Sequence, residues 1–280
     1  MSQTEIDSKN AKFWDELCGT NLARSLGITE PTPESLRRFD EAYLSFYPYL
    51  DRYVTTETLV GKRVLEIGLG YGTLGQLLAA RGCRYYGLDI APNPVAMMKH
   101  RLAYLGRDAS DRIQVGSALE IPCKDASFDY VYSVGCLHHT GNLDRAISEV
   151  HRVLGRGGKA IVMLYNRHSF RRLVKLPVLS LRGLVSSLSG LLGYRTRTNL
   201  AQRVRALYDI NTKGDPAPHT DYVSRGQVRQ LFRDFRDVRI ESQNFDSLVF
   251  LPGRLVIPRE KLLGNVARVA GLDLYIQAYK

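Results

Sequence analysis

The sequence predicts an α/β protein: a doubly wound sheet preceded by helices and interrupted by a helical insertion. Three observations predict it. Short apolar runs alternate with helical stretches from residue 62 onward. A glycine-rich turn at Gly68, Gly70 and Gly72 follows the first run. The alternation stops near residue 167 and resumes near 224. Strands that alternate with helices form parallel sheets covered on both faces.

The elements follow in order. Phe13 to Leu26 reads as a helix with Phe13, Leu17 and Leu22 toward one side. Ser35 to Tyr53 reads as a second helix broken at Pro48, because proline lacks the N–H that a helix interior needs. Strand 62–67, helix 72–81, strand 84–89 and helix 93–105 come next. Strands 112–116 and 128–134 follow with little helix between them, then helix 143–154 and strand 159–165. After the interruption, Ser224 caps helix 224–235 and strand 236–245 follows. A last helix near 259–270 precedes the closing strand 272–279, a placement that suits an antiparallel edge. Four segments result: N-terminal helices at 1–58, a core at 59–166, an insertion at 167–223, and the remaining sheet at 224–280.

Within the insertion, Leu173 to Leu192 carries a broad apolar face that includes Leu176, Leu179, Leu184, Val185, Leu188, Leu191 and Leu192. Leu200 to Tyr208 reads as a second helix, and Asn211 to His219 is rich in turn residues. The expected place of this insertion is a lid over the C-terminal edge of the sheet, where open α/β sheets bind ligands.

Composition narrows the function classes. An apolar content of 44% supports a full core. No run of about 18 uncharged apolar residues exists, so no spanning helix is expected. The start, Met1 to Glu5, lacks the basic-then-apolar order of a signal peptide. Cys18, Cys83, Cys123 and Cys136 have neither metal-ligand nor disulfide spacing, so no metal is expected and a cytoplasmic setting is. The net charge of +11 is uneven: residues 151–240 hold 18 Lys and Arg against 5 Asp and Glu, the remainder 21 against 23. Such a surplus points to an anionic partner, namely a substrate phosphate, an anionic membrane or lipid, or nucleic acid. Nucleic acid is disfavoured, because no aromatic-rich strand pattern offers base stacking.

The most specific signal is Val64-Leu65-Glu66-Ile67-Gly68-Leu69-Gly70-Tyr71-Gly72. Glycines let the backbone turn tightly and leave no side chain between it and a ligand. Asp89 ends the next apolar run, 17 residues after Gly72, where a carboxylate can accept from both hydroxyls of a ribose. A dinucleotide fingerprint needs G-x-G-x-x-G at the strand end. Counted from Gly68, the third glycine falls on Thr73; counted from Gly70 the spacing fits, but starts two residues late. Glu66-x-Gly68-x-Gly70-x-Gly72 suits S-adenosylmethionine (SAM) better, because its ammonium group can use Glu66 directly or through water.

Further motifs agree: Gln114 to Pro122, Asp125 to Ser133, Gly135-Cys136-Leu137-His138-His139-Thr140, Glu149 to Leu154, and Gly157-Gly158-Lys159. In this order and at these separations, residues 60 to 166 resemble the class I SAM-dependent methyltransferases. Within them, the match is to the small-molecule branch that includes ubiquinone and menaquinone biosynthesis enzymes. The resemblance implies a Rossmann-like sheet of seven strands. It also implies a cofactor set of Glu66, Gly68, Gly70, Tyr71, Gly72, Asp89, Ile90, Ser117, Ala118, Leu119 and Gly135. The family often has Asp where Ser117 stands, and a serine can still hydrogen-bond the adenine amino group.

Methyl transfer from a sulfonium needs mainly alignment and exclusion of water. A base is needed only when the acceptor must lose a proton. The loop after the fourth strand lies beside the methyl group in this family, which makes His139 the expected base and His138 its neighbour. Tyr165, Asn166, Trp14 and Tyr222 are the expected substrate contacts. An Asn-Pro-Pro-Tyr signature of amide methylation is absent, since Ser133-Val134-Gly135-Cys136 stands there. The sequence thus implies an enzyme for a small organic acceptor. The alternatives are a non-catalytic SAM-binding or nucleic-acid-binding module and, disfavoured by the glycine register, an NAD-dependent oxidoreductase.

Overall fold

The computed structural model describes residues 1–54, 59–107, 110–175, 200–250 and 255–280. Helix α1 spans Gln3–Trp14 and begins where the Ser2 hydroxyl accepts from the Glu5 N–H at 3.3 Å. Gly19 then takes φ +104°, and α2 spans Thr20–Ser25. The single helix expected over Phe13 to Leu26 is therefore two, divided at a backbone angle that glycine alone adopts readily. Helix α3, Pro33–Phe46, is capped by Thr32 and stops ahead of Pro48; a 3₁₀ turn follows at Leu50–Arg52.

The alternation then appears as read. The chain runs through β1 (Arg63–Ile67), α4 (Thr73–Ala80), β2 (Arg84–Asp89), α5 (Pro92–Tyr104), β3 (Ile113–Val115) and β4 (Phe128–Val134). It continues through α6 (Leu143–Val153) and β5 (Leu154–Tyr165). Helix α7 (Leu200–Ala206) belongs to the insertion, followed by α8 (Arg225–Leu231) and β6 (Arg236–Gln243). Ser224 closes a full capping box with Gln227 at the start of α8. A short hairpin of β7 (Leu248–Phe250) and β8 (Leu255–Ile257) was not foreseen. The last helix expected near 259–270 is a 3₁₀ turn, Arg259–Lys261, and a shorter α9, Asn265–Ala270, before β9 (Asp273–Tyr279).

Seven strands pair in the order β3-β2-β1-β4-β5-β9-β6, with β9 antiparallel to both neighbours. One face buries Leu65, Ile67, Val131 and Val162 against Ile147 and Val150 of α6 and Val228 of α8. The other buries Val64, Tyr132, Ile161 and Met163 against Leu78 of α4, Met98 of α5 and the tyrosines Tyr49 and Tyr53. Successive strand residues alternate between these faces, as a sheet covered on both sides requires. The apolar face read over Leu176 to Leu192 lies outside the described residues. Among those described, no helix is long and apolar enough to cross a membrane.

Candidate active site

The C-terminal ends of β1, β2 and β4 open onto a cleft of about 1090 Å³, its solvent-open mouth included. The glycine turn forms its floor. Gly72 has φ +81°, and a Cβ there would lie 2.7 Å from Arg101 Cδ; at Gly68, φ +84°, it would overlap Cys136. Side chains are therefore excluded at both positions by backbone angle and by space.

Asp89 holds that turn. Its Oδ2 accepts from the Leu69 N–H at 2.7 Å and its Oδ1 from the Ala91 N–H at 2.9 Å. Burial pushes its pKa up, against those backbone donors. Asp89, the ribose partner expected from sequence, thus shapes the glycine loop itself. Glu66 lines the cleft while accepting from the Tyr85 hydroxyl, and burial pushes its pKa up to about 8. Gly75 leaves the room this pair occupies, since a Cβ would sit 2.5 Å from both side-chain oxygens. Ser117 and Ala118 line the cleft, and the Ser117 hydroxyl accepts from the Leu119 N–H at 3.2 Å.

Helix α3 closes one side through contacts that sequence reading missed. Arg101, fully buried on α5, donates to both carboxylate oxygens of Asp40 at 2.8 and 3.0 Å and to Gln76 at 2.8 Å. Thr73 donates to the same carboxylate at 2.6 Å. Phe39 stacks on Tyr71 with centroids 4.0 Å apart. A basic residue inside an otherwise amphipathic α5 was the available signal.

His139 stands on the same cleft. Its Nδ1 lies 2.7 Å from the His219 carbonyl, which can only accept, so Nδ1 carries the proton and Nε2 the lone pair in the neutral ring. Nε2 lies 3.7 Å from Asp209 Oδ2. Burial lowers the His139 pKa and raises that of Asp209, while each partly offsets the shift of the other. Trp14 packs on the imidazole at 4.7 Å, and Asn10 donates to the His139 carbonyl at 2.7 Å.

The cleft brings together Glu66, Gly68, Gly70, Tyr71, Gly72, Asp89, Ile90, Ser117, Ala118, Gly135, Trp14 and His139. Other expected residues lie behind it. Leu119 packs into the core. His138 is fully buried against the Tyr165 ring at 4.0 Å, and burial drives its pKa well down. The Tyr165 hydroxyl donates to Asp209 at 3.0 Å. The Asn166 amide donates to the Gly271 carbonyl at 2.8 Å and accepts from the His168 N–H at 2.9 Å, so it joins strand ends. Tyr222 lies under Arg172, 4.0 Å from its guanidinium carbon. Asp209 itself was missed; its signal was a carboxylate within the strongly basic stretch 151–240.

Among the described residues, the cleft lining includes no Lys or Arg, but includes Asp7, Glu66 and Asp89. A side-chain-free glycine cradle and an acidic wall fit a cofactor that carries a sulfonium and an ammonium group. No group of His, Cys, Asp and Glu suited to a metal occurs among the described residues.

The family described as methyltransferase domain matches residues 65–162. Phosphoethanolamine N-methyltransferase 2 of Caenorhabditis elegans is 24% identical over 184 residues, 65% of this chain and 37% of that protein. Ubiquinone biosynthesis O-methyltransferase of Dechloromonas aromatica is 32% identical over 113 residues, 40% of this chain and 47% of that one. The chain thus spans less than half the length of these two relatives. Among solved structures, the YcgJ protein from Bacillus subtilis matches with TM-score 0.54 at 18% identity, over 84% of this chain and 98% of that one. Haemonchus contortus phosphoethanolamine N-methyltransferase 2, in complex with phosphomonomethylethanolamine and S-adenosylhomocysteine (SAH), matches with TM-score 0.50 at 18% identity, over 84% and 52%. At such identity these two establish the fold. Residues 65–162, with the ordered motifs around them, are a class I SAM-dependent methyltransferase domain that resembles those of the quinone-biosynthesis enzymes, and its cofactor is SAM.

Proposed function

We propose that the chain methylates an oxygen, nitrogen or carbon atom of a small organic acceptor, with His139 accepting the acceptor's proton. One observation carries this reading: a single cleft is lined both by the glycine cradle and by a positioned imidazole. Bound SAM supplies an electrophilic methyl group. The glycine turn, Asp89, Ile90, Ser117 and Ala118 would hold it. Trp14 and α3 exclude water from that end. Burial lowers the His139 pKa and so favours the neutral ring, whose proton-accepting atom is Nε2, buried and without a hydrogen-bond partner. Peripheral contact with an anionic lipid surface is a second reading, supported by the basic surplus of residues 151–240.

Calorimetric titration with SAH, with NADH as the control, tests the cofactor. Micromolar SAH binding and no NADH binding is the expected result; NADH binding alone would overturn it. His139→Gln is expected to lower turnover by about 10²–10⁴ while leaving SAH affinity within about twofold. Unchanged turnover would reduce His139 to a wall of the cleft.

A further inference from the structure

His139 is 3% exposed, and its Nε2 is buried with no hydrogen-bond donor against it. Nδ1–H is already committed to the His219 carbonyl, so Nε2 carries the lone pair. Set opposite that lone pair is a carboxylate oxygen, Asp209 Oδ2, at 3.7 Å. A lone pair and a carboxylate repel when no proton lies between them, and 3.7 Å is too long for a shared hydrogen bond. One proton on Nε2 turns the same arrangement into an ion pair. The surroundings hold Asp209 as the anion. The Tyr165 hydroxyl lies 3.0 Å from each of its oxygens and donates to it, and Arg171 adds a favourable charge, both against the burial that raises its pKa. The other neighbours of His139 do not compete. His219 Nε2 and Asp221 Oδ1 face each other at 3.1 Å. The His138 ring, 4.3 Å away, has its pKa driven well down by burial. Trp14 and the Thr220 hydroxyl carry no charge. Among the described residues, no other carboxylate lies within ion-pair distance of His139.

We propose that Asp209, behind the cleft wall, is a positioning residue for the base: it stabilises the imidazolium that His139 becomes on taking the acceptor's proton. This rests on the reading of His139 as the base. In the step concerned, the proton leaves the acceptor for Nε2, and the electron pair of the broken bond stays on the acceptor atom as the nucleophile. The imidazolium then stands against the Asp209 carboxylate, while Nδ1–H keeps its bond to the His219 carbonyl. Without Asp209, the cation would form in a site that offers neither water nor a counter-charge, and the proton would stay on the acceptor. The Tyr165 hydroxyl acts one layer further back, fixing the carboxylate that faces the ring.

The test is a pH titration of the histidine Cε1–H NMR signals, which needs no acceptor. The His139 signal is the one lost in His139→Gln. Asp209→Asn keeps an oxygen for Tyr165 but loses the charge, and is expected to lower the His139 pKa by at least about one unit. Asp209→Glu is expected to restore most of that loss. SAH affinity within about twofold of the parent shows that the cleft is intact in both variants. Where Asp209→Asn does not fold, the parent protein answers instead: the Asp209 carboxyl carbon signal is expected to shift at the same pH at which His139 titrates. An unchanged His139 pKa in Asp209→Asn, a Glu variant that behaves as the Asn variant does, or a carboxyl signal indifferent to the His139 titration overturns the pairing. The reading of His139 as the base fails separately, by unchanged turnover in His139→Gln.

Discussion

Glu66 shows how one residue links cofactor geometry to stability. It is 1% exposed, contacts the Tyr85 hydroxyl, and titrates near 8 because burial penalises its charge. Its ordinary value is 4.5. Between these values the folded chain holds a proton that the unfolded chain has released. Stability from this group is therefore full below about 4.5 and falls as pH rises toward about 8. Glu66→Gln cannot titrate, so it is expected to lose this decline. The melting temperature of the variant relative to the parent should rise by several degrees between pH 5 and pH 8. A constant difference between the two proteins across that range would mean that Glu66 is already charged in the fold. The comparison cancels the buried histidines, whose lowered pKa values act in the opposite direction between their folded values and 6.5.

At the scale of elements, the clamp between α3, α4 and α5 decides whether the cleft is closed. Arg101 joins Asp40 on α3 to Gln76 on α4, and all the partners are part-buried. Removing the arginine leaves the Asp40 carboxylate with Thr73 and Gln76 alone. Arg101→Met is expected to destabilise the protein by about 3–5 kcal/mol, the cost of breaking a buried pair from one side. It should also weaken SAH by about tenfold, since α3 carries the Phe39 ring that packs on Tyr71. Urea unfolding and calorimetry measure the two effects. Unchanged SAH affinity with lowered stability would make α3 a support rather than a wall of the site. This clamp was not legible in the sequence, because Asp40, Gln76 and Arg101 are far apart in the chain and each reads as an ordinary polar helix residue. Motifs carried by consecutive residues were legible: the glycine turn, Asp89 at a strand end, and His138-His139 after β4. Which of the two histidines lines the cleft was settled by a tertiary contact, the His219 carbonyl 80 residues away. Asp209 escaped for the same reason, as a lone carboxylate reads as surface until the fold buries it.

For the whole molecule, the parallel part of the sheet was legible from alternation and its seven strands from the family resemblance, whereas helix boundaries in the first 54 residues and the β7–β8 hairpin were not legible. Periodicity reports burial on a central sheet well. It reports poorly on short elements whose limits are set by caps and glycines, such as Ser2 and Gly19. Charge is also a property of the whole. The cleft lining is acidic, while the surplus of Lys and Arg lies in residues 151–240, so the basic character acts outside the cleft. Arg229, Arg233 and Arg236 are exposed on and just after α8. If this surface meets anionic lipid, the protein should co-sediment with phosphatidylglycerol vesicles at low salt and not with phosphatidylcholine. About 0.5 M salt should release it, because exposed charges are screened beyond a few ångströms there. Each basic residue near such a surface contributes about 1 kcal/mol. The double reversal Arg229→Glu and Arg233→Glu is therefore expected to weaken vesicle binding by at least about tenfold while SAH affinity stays the same. Equal sedimentation with both lipids, or none with either, would leave the basic surplus as a solvated face and remove the lipid surface from the account of how the acceptor reaches the cleft.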